Sequence, residues 1–233
     1  MPIPLYSIQD LFISKGGEDK LTIKQFDIHR GACYVFEGRM GSGKTTFLDA
    51  LYSRRKTQRG DIKFEEKDIR SYSNHEYQEQ IAVVPQRFSP PWGRVENYMI
   101  KTIKRYSHIK YPNKSLDEIS RKMNMSSLLQ RRMKSLTPGE LRWVVLATQI
   151  AADTKVLIID EYEQHLGKEE INKLNTILYR KINYDGITLI TTTQNKDIFS
   201  RLASVIVTLE NGKIISLRSF SKKKNNYRKK IKK

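Results

Sequence analysis

The chain has 233 residues, 43 Lys/Arg against 25 Asp/Glu and a formal net charge of +18, with 38% hydrophobic residues. That length suits one large domain, or a domain with a subdomain inserted, and a core that needs no disulfide or metal staple. The single cysteine, Cys33, excludes a disulfide framework and a Cys-built zinc site, while the basic excess points to an acidic partner: nucleic acid, anionic lipid or a phosphorylated ligand.

The opening MPIPLYSIQD has no charged region followed by an apolar run, and no stretch approaches the ~20 apolar residues of a bilayer span. An intracellular protein is therefore expected. Residues 3–12 and 21–28 alternate apolar and polar residues, which predicts a strand pair around a turn at 15–19. Residues 32–36 form a short apolar strand, with Cys33 as an ordinary buried member. A helix is predicted over 46–52, with Phe47, Leu48 and Leu51 on one face. A basic loop at 54–60 precedes a short strand at 61–64. Residues 81–84 form another buried strand, ending at Pro85-Gln86.

Residues 95–135 are polar and helical in character, and 141–151 is an apolar helix. Residues 156–159 are a fully apolar strand, 168–181 an amphipathic helix, 187–190 a further strand, and 205–216 two strands about Asn211-Gly212. Residues 221–233 are a low-complexity basic tail. Apolar strands alternating with helices predict an α/β sheet covered on both faces, with helices inserted at about 90–145. The expected organisation is one domain over 1–220, followed by the tail.

Two motifs carry chemistry. Gly38-Arg39-Met40-Gly41-Ser42-Gly43-Lys44-Thr45 fits the Walker A pattern, between a predicted strand and a predicted helix. Glycines let successive N–H groups converge on phosphates, and the following helix adds its positive dipole end. Lys44 supplies a charge for the β- and γ-phosphates, and Thr45 a hydroxyl for Mg²⁺. Asp160, after the apolar strand, fits a Walker B carboxylate at the C-terminal edge of an open sheet, where ligands bind. Glu161 is placed to polarise an attacking water. A helix N-cap is the alternative reading of these two acids.

With these motifs in order, the chain resembles the nucleotide-binding domain of ABC ATPases over about residues 8–216. The resemblance implies a P-loop NTPase core sheet, an N-terminal antiparallel β subdomain and an inserted helical subdomain. It implies ATP and Mg²⁺ as cofactors, with Gly38, Gly41, Ser42, Gly43, Lys44, Thr45 and Thr46 around the nucleotide. Gln86 matches the Q-loop glutamine, so Thr45, Gln86 and Asp160 become the expected Mg²⁺ ligands. Leu136-Thr137-Pro138-Gly139-Glu140 resembles the LSGGE signature, making Thr137, Gly139 and Glu140 contacts to a nucleotide held by a second subunit. Glu161 is the expected catalytic base, and the switch histidine falls on Gln194.

Several positions depart from the family. Pro138 replaces a glycine and removes one N–H, and Thr137 replaces a serine. Gln194 cannot carry a proton near neutral pH. Gly167 falls on the D-loop aspartate, Trp143 on an arginine, with Arg142 beside it, and Phe12 is the one nearby candidate for an adenine platform. Slow hydrolysis is the expected consequence, and His165 is read as a surface or interface histidine without chemistry, with a D-loop or switch role as the alternative.

The resemblance further implies integral membrane partner subunits, a second ATPase subunit and a peripheral location on the cytoplasmic face of the membrane. Gly38 to Tyr52 looks like the small lipoprotein-release and cell-division (FtsE-like) ATPases. The alternatives are a soluble ABC protein acting on nucleic acid or ribosomes and, more remotely, another P-loop enzyme such as a kinase. The charge is localised: residues 221–233 carry eight Lys/Arg and no acid, and residues 97–135 carry ten against two acids. A tail of this kind suits anionic lipid; a merely solvated tail is the alternative.

Overall fold

The structure, a computed structural model, describes residues 3–15, 18–52, 59–199 and 201–220. Strand β1 (Tyr6–Lys15) pairs antiparallel with β2 (Glu18–Ile28), and β3 (Cys33–Glu37) leads into helix α1 (Lys44–Tyr52). Then follow β4 (Arg59–Phe64), β5 (Lys67–Asp68), α2 (Asn74–Glu79) and β6 (Ile81–Val84). Helices α3 (Val95–Ile103), α4 (Pro112–Lys122) and α5 (Pro138–Ala151) lie between β6 and β7 (Val156–Ile159). The chain continues through α6 (Lys168–Tyr184), β8 (Thr188–Thr193), β9 (Val205–Glu210) and β10 (Lys213–Ser219).

These strands form a four-stranded antiparallel sheet, order β2-β1-β4-β5, and a six-stranded sheet, order β10-β9-β3-β8-β7-β6. The five strands β6, β7, β8, β3 and β9 are mutually parallel, with β10 the antiparallel edge. Alternation along each parallel strand divides the core in two. In β3, Cys33 and Val35 pack with α3 to α6, while Tyr34 and Phe36 pack with α1 and the antiparallel sheet. In β7, Leu157 and Ile159 face the first cluster, Val156 and Ile158 the second. Double-sided burial is why these strands read as unbroken apolar runs.

The expected strand pair is present with other bounds: β1 starts at Tyr6 rather than residue 3, and Lys15, Glu18 and Asp19 of the expected turn are paired strand residues, while residues 16 and 17 lie outside the described residues. The basic loop is likewise outside them over 53–58, as is the tail over 221–233. Helix α2 was not anticipated, although Ser73-Asn74-His75-Glu76 carries its signal: Ser73 and Glu76 form a reciprocal capping box. Strand β8 runs past Ile190 through three buried threonines, Thr191 to Thr193. Cys33 is buried in β3, as expected.

At the end of the core sheet away from the glycine loop, the two sheets are tied by charge. Glu65 accepts from Lys155 Nζ at 2.9 Å and pairs with Arg30 at 2.7 Å. Glu65 and Glu66 both have positive φ, 49° and 66°, in the β4–β5 turn, a conformation that glycine and asparagine adopt more readily. Burial tends to raise the Glu65 pKa, but hydrogen bonds from Lys155 and Arg30 outweigh it and hold the carboxyl below its ordinary value. A depressed folded pKa stabilises above the unfolded value, ~4.3, and that contribution is lost as pH falls through the folded value. Glu65→Gln should therefore lower the unfolding temperature at pH 7, and by progressively less as the pH is taken below ~4.3, as followed by circular dichroism melts across that range.

Candidate functional site

Because β3, β6, β7 and β8 are parallel, their C-terminal ends share one edge of the sheet, and each delivers a segment singled out in the sequence. After β3, Gly38 and Gly43 have φ of +153° and +102°. A Cβ on Gly38 would lie 2.3 Å from the Leu209 carbonyl oxygen, and one on Gly43 2.8 Å from that of Lys20. Both positions therefore require glycine on conformation and on space. A Cβ on Gly41 would meet nothing within 4 Å, so this is the open side of the loop. The β9–β10 turn braces the loop from behind: Gly212 N–H donates to the Ser42 carbonyl at 3.0 Å, and Thr22 N–H to that of Gly212 at 2.7 Å.

The Lys44 ammonium donates to the Gly38 and Arg39 carbonyls at 2.7 and 2.9 Å. Burial pulls its pKa down, opposed by the carboxylates of Glu161, Asp160 and Glu163. Ser42 Oγ is buried without a partner. Thr45 and Thr46 lie in the first turn of α1, Thr45 exposed and Thr46 half-buried. An orphaned hydroxyl, a lysine and a helix N-terminus around an open glycine loop fit a phosphate group.

Asp160 follows β7, buried, and its Oδ1 accepts from Thr192 Oγ1 at 2.5 Å. The same threonine oxygen accepts from the Glu161 N–H at 2.7 Å. Glu161 has a φ of +50° and belongs to a turn, so the helix N-cap alternative does not hold: α6 starts at Lys168, with Gly167 as its N-cap residue. Gln194, after β8, donates from Nε2 to Glu161 Oε1 at 3.3 Å. Among the described residues no group of three or more His, Cys, Asp or Glu is arranged to hold a metal. A single buried carboxylate with a neighbouring hydroxyl suits Mg²⁺, which keeps several waters and takes its remaining ligands from substrate phosphates.

Arg142 was not among the expected site residues, yet it organises this edge. The guanidinium is buried in α5 and donates to the Pro85 carbonyl at 2.7 Å and to those of Asp160 and Glu161 at 2.7 and 2.8 Å. It joins the end of β6, and with it half-buried Gln86, to the acid pair after β7. Burial lowers its pKa to about 10, against the pull of Asp160, Glu161 and Glu163. The sequence signal was a charge inside the apolar run LRWVVLATQI. Trp143 beside it donates from Nε1 to the Met123 carbonyl at 2.9 Å and packs in the helical core.

The signature segment is a helix start. Thr137 is the N-cap of α5 and Pro138 its first residue, where a missing N–H costs no intrahelical bond. Thr137 Oγ1 accepts from Glu140 N–H at 3.3 Å, and Glu140 Oε2 accepts from Thr137 N–H at 2.9 Å. Glu140 also pairs with Arg131 at 2.5 Å. The Gly139 N–H is the first-turn donor left outside this box. A Cβ on Gly139 would stand 2.9 Å from the His165 carbonyl oxygen, so glycine lets the segment after Glu161 pack against the start of α5. His165 itself is exposed, and His108 lies 2.9 Å from the Ala152 carbonyl, away from the site.

A strand–glycine loop–helix unit facing a buried aspartate and an adjacent glutamate across a parallel sheet defines a P-loop nucleotide-binding α/β protein. The ABC transporter family matches residues 21–164, and the chain belongs to that family. It is 29% identical over 216 residues to an uncharacterized ABC transporter ATP-binding protein of Haemophilus influenzae, covering 89% of this chain and 81% of the relative. To a putative ABC transporter ATP-binding protein of Clostridium tetani it is 24% identical over 196 residues, covering 82% of this chain but 44% of that protein. Among solved structures it superposes, with a TM-score of 0.82 and 18% identity, on a dimeric ATP-binding cassette bound to ADP and Pi, covering 93% of this chain and 99% of that one.

Arg142→Met should destabilise the fold by about 3 kcal/mol, because the Pro85 and Asp160 carbonyls lose their guanidinium donor while that of Glu161 keeps only the Gln164 N–H. Urea unfolding checks this, and a loss under about 1 kcal/mol would show that Arg142 has no organising role.

Proposed function

We propose that this chain is the ATP-binding subunit of a membrane ABC complex, pairing head to tail with a like subunit around Mg-ATP to drive separate membrane-spanning chains. The observation that carries the reading is the convergence of Lys44, after β3, with Asp160 and Glu161, after β7, at the C-terminal edge of strands that run parallel through β8. In this reading the backbone N–H groups of Gly41, Ser42, Gly43, Lys44 and Thr45 cradle the phosphates, Gly38 lets the loop turn, and Thr46 lines the same helix start. Lys44 exchanges its two carbonyl partners for phosphate oxygens. Thr45, Gln86 and Asp160 would hold Mg²⁺, which would supply positive charge against the phosphates. Glu161 accepts a proton from the attacking water, and Gln194 orients that carboxylate.

Thr137, Gly139 and Glu140 belong, in this reading, to the surface that closes on the second subunit's nucleotide. Pro138 and the closed capping box reduce the donors that surface offers, and Gln194 brings no positive charge. Donors aimed at developing charge are worth ~3 kcal/mol each, so turnover is slow. The dimeric cassette with ADP and Pi supports the pairing at the level of fold. Among the described residues no helix is long and apolar enough to cross a membrane, in keeping with separate membrane chains. The basic tail and the basic stretch over 97–135 are proposed to hold the protein at an anionic membrane face. The net charge of +18 also suits a soluble ABC ATPase acting on nucleic acid or ribosomes, which salt-sensitive RNA binding by the purified protein would favour.

Wild-type protein should bind a fluorescent ATP analogue in Mg²⁺, and Lys44→Ala should lose that binding. Glu161→Gln should keep binding, lose ~10²-fold or more in turnover, and accumulate an ATP-dependent dimer in size-exclusion chromatography. A wild type that fails to bind Mg-ATP overturns the whole reading.

A further inference from the structure

Glu163 is an acid that the nucleotide-binding scheme leaves without a task. It lies two residues beyond Glu161. Its Oε1 accepts from Thr193 Oγ1 at 2.8 Å and from the Gln194 N–H at 3.0 Å. Its other oxygen, Oε2, is buried without a partner. Leaving a carboxylate oxygen buried and unpaired costs free energy that an apolar residue would not incur, and such costs concentrate at functional sites.

The two bonds to Oε1 fix the backbone from which the Gln194 side chain springs. That side chain in turn donates from Nε2 to Glu161 Oε1 at 3.3 Å. From the other side, Glu161 is held through its N–H by Thr192 and through its carbonyl by Arg142. Its φ of +50° is a conformation that a non-glycine residue keeps only when its surroundings hold it. Glutamine has no charge with which to find its place, so its aim depends on what grips its backbone.

We infer that Glu163 is a positioning residue: it clamps the segment after β8 so that the Gln194 amide orients the Glu161 carboxylate, making a chain Glu163–Gln194–Glu161. This rests on the hydrolysis reading above. It follows the logic of a base oriented by a second group that is itself held by a third.

The test is a mutant cycle on the full chain, with kcat and KM for ATP measured for wild type, Glu163→Ala, Glu163→Gln, Gln194→Ala and the Glu163→Ala/Gln194→Ala double variant. Glu163→Ala should lose roughly 10- to 100-fold in kcat, the size expected of a misplaced group, with KM little changed. Glu163→Gln keeps an acceptor oxygen and should recover most of that loss. In the Gln194→Ala background, Glu163→Ala should have no further effect. An additive double variant, or Glu163→Gln no better than Glu163→Ala, overturns the proposal.

A second readout does not need turnover: the Gln194 side-chain amide, assigned in ¹⁵N spectra by its loss in Gln194→Ala, should shift in Glu163→Ala. An unmoved amide overturns the proposal. A wild type that binds ATP without hydrolysing it sinks the hydrolysis reading instead, and leaves the amide to decide the clamp.

Discussion

The structure turns on a guanidinium buried where strands end. Arg142 reaches the carbonyls of Pro85, Asp160 and Glu161, all just past the C-terminal ends of parallel strands. Buried carbonyls need donors, and a planar fork with five N–H groups can serve several that lie too far apart for one ammonium. One side chain therefore sets the relation of α5, the end of β6 and the acid pair after β7. The same three segments bring the signature helix, Gln86 and the acids Asp160 and Glu161 to one place.

Around that anchor the site is built largely from backbone. The glycine loop is pressed between the Leu209 carbonyl and β2, and the Gly212 turn closes behind it. Thr192 serves Asp160 and Glu161 with one hydroxyl, donating to the first and accepting from the second. Rigidity of this kind matters for anion binding, since N–H groups already aimed at a phosphate need no reorganisation when it arrives. The acids on the opposite side keep Lys44 from being an isolated buried cation.

Much of this was legible in sequence where the physics is local. The Walker A spacing, the apolar runs of β3, β6 and β7, and the Asn211-Gly212 turn each carry their own signal, and each sits where expected. Less legible were the residues whose partners lie far along the chain. Arg142 stood out only as the neighbour of Trp143, and Thr192 and Glu163 carried no assigned role. None has a pattern, because its task is defined by carbonyls and hydroxyls that the fold brings within 3 Å. Pro138 was read from the sequence chiefly as a lost donor; the structure adds that it occupies the helix position where proline fits best.

The sequence by itself determined the class of protein: period-two and apolar strand patterns specify a two-faced parallel sheet, and glycine spacing specifies a phosphate loop, because both depend on near neighbours in the chain. Only the tertiary structure decided how the acids are held. Their neighbours Arg142, Thr192, Glu163 and Gln194 come from different elements, α5, β8 and the segments after β7 and β8, and long-range packing is what sets such distances.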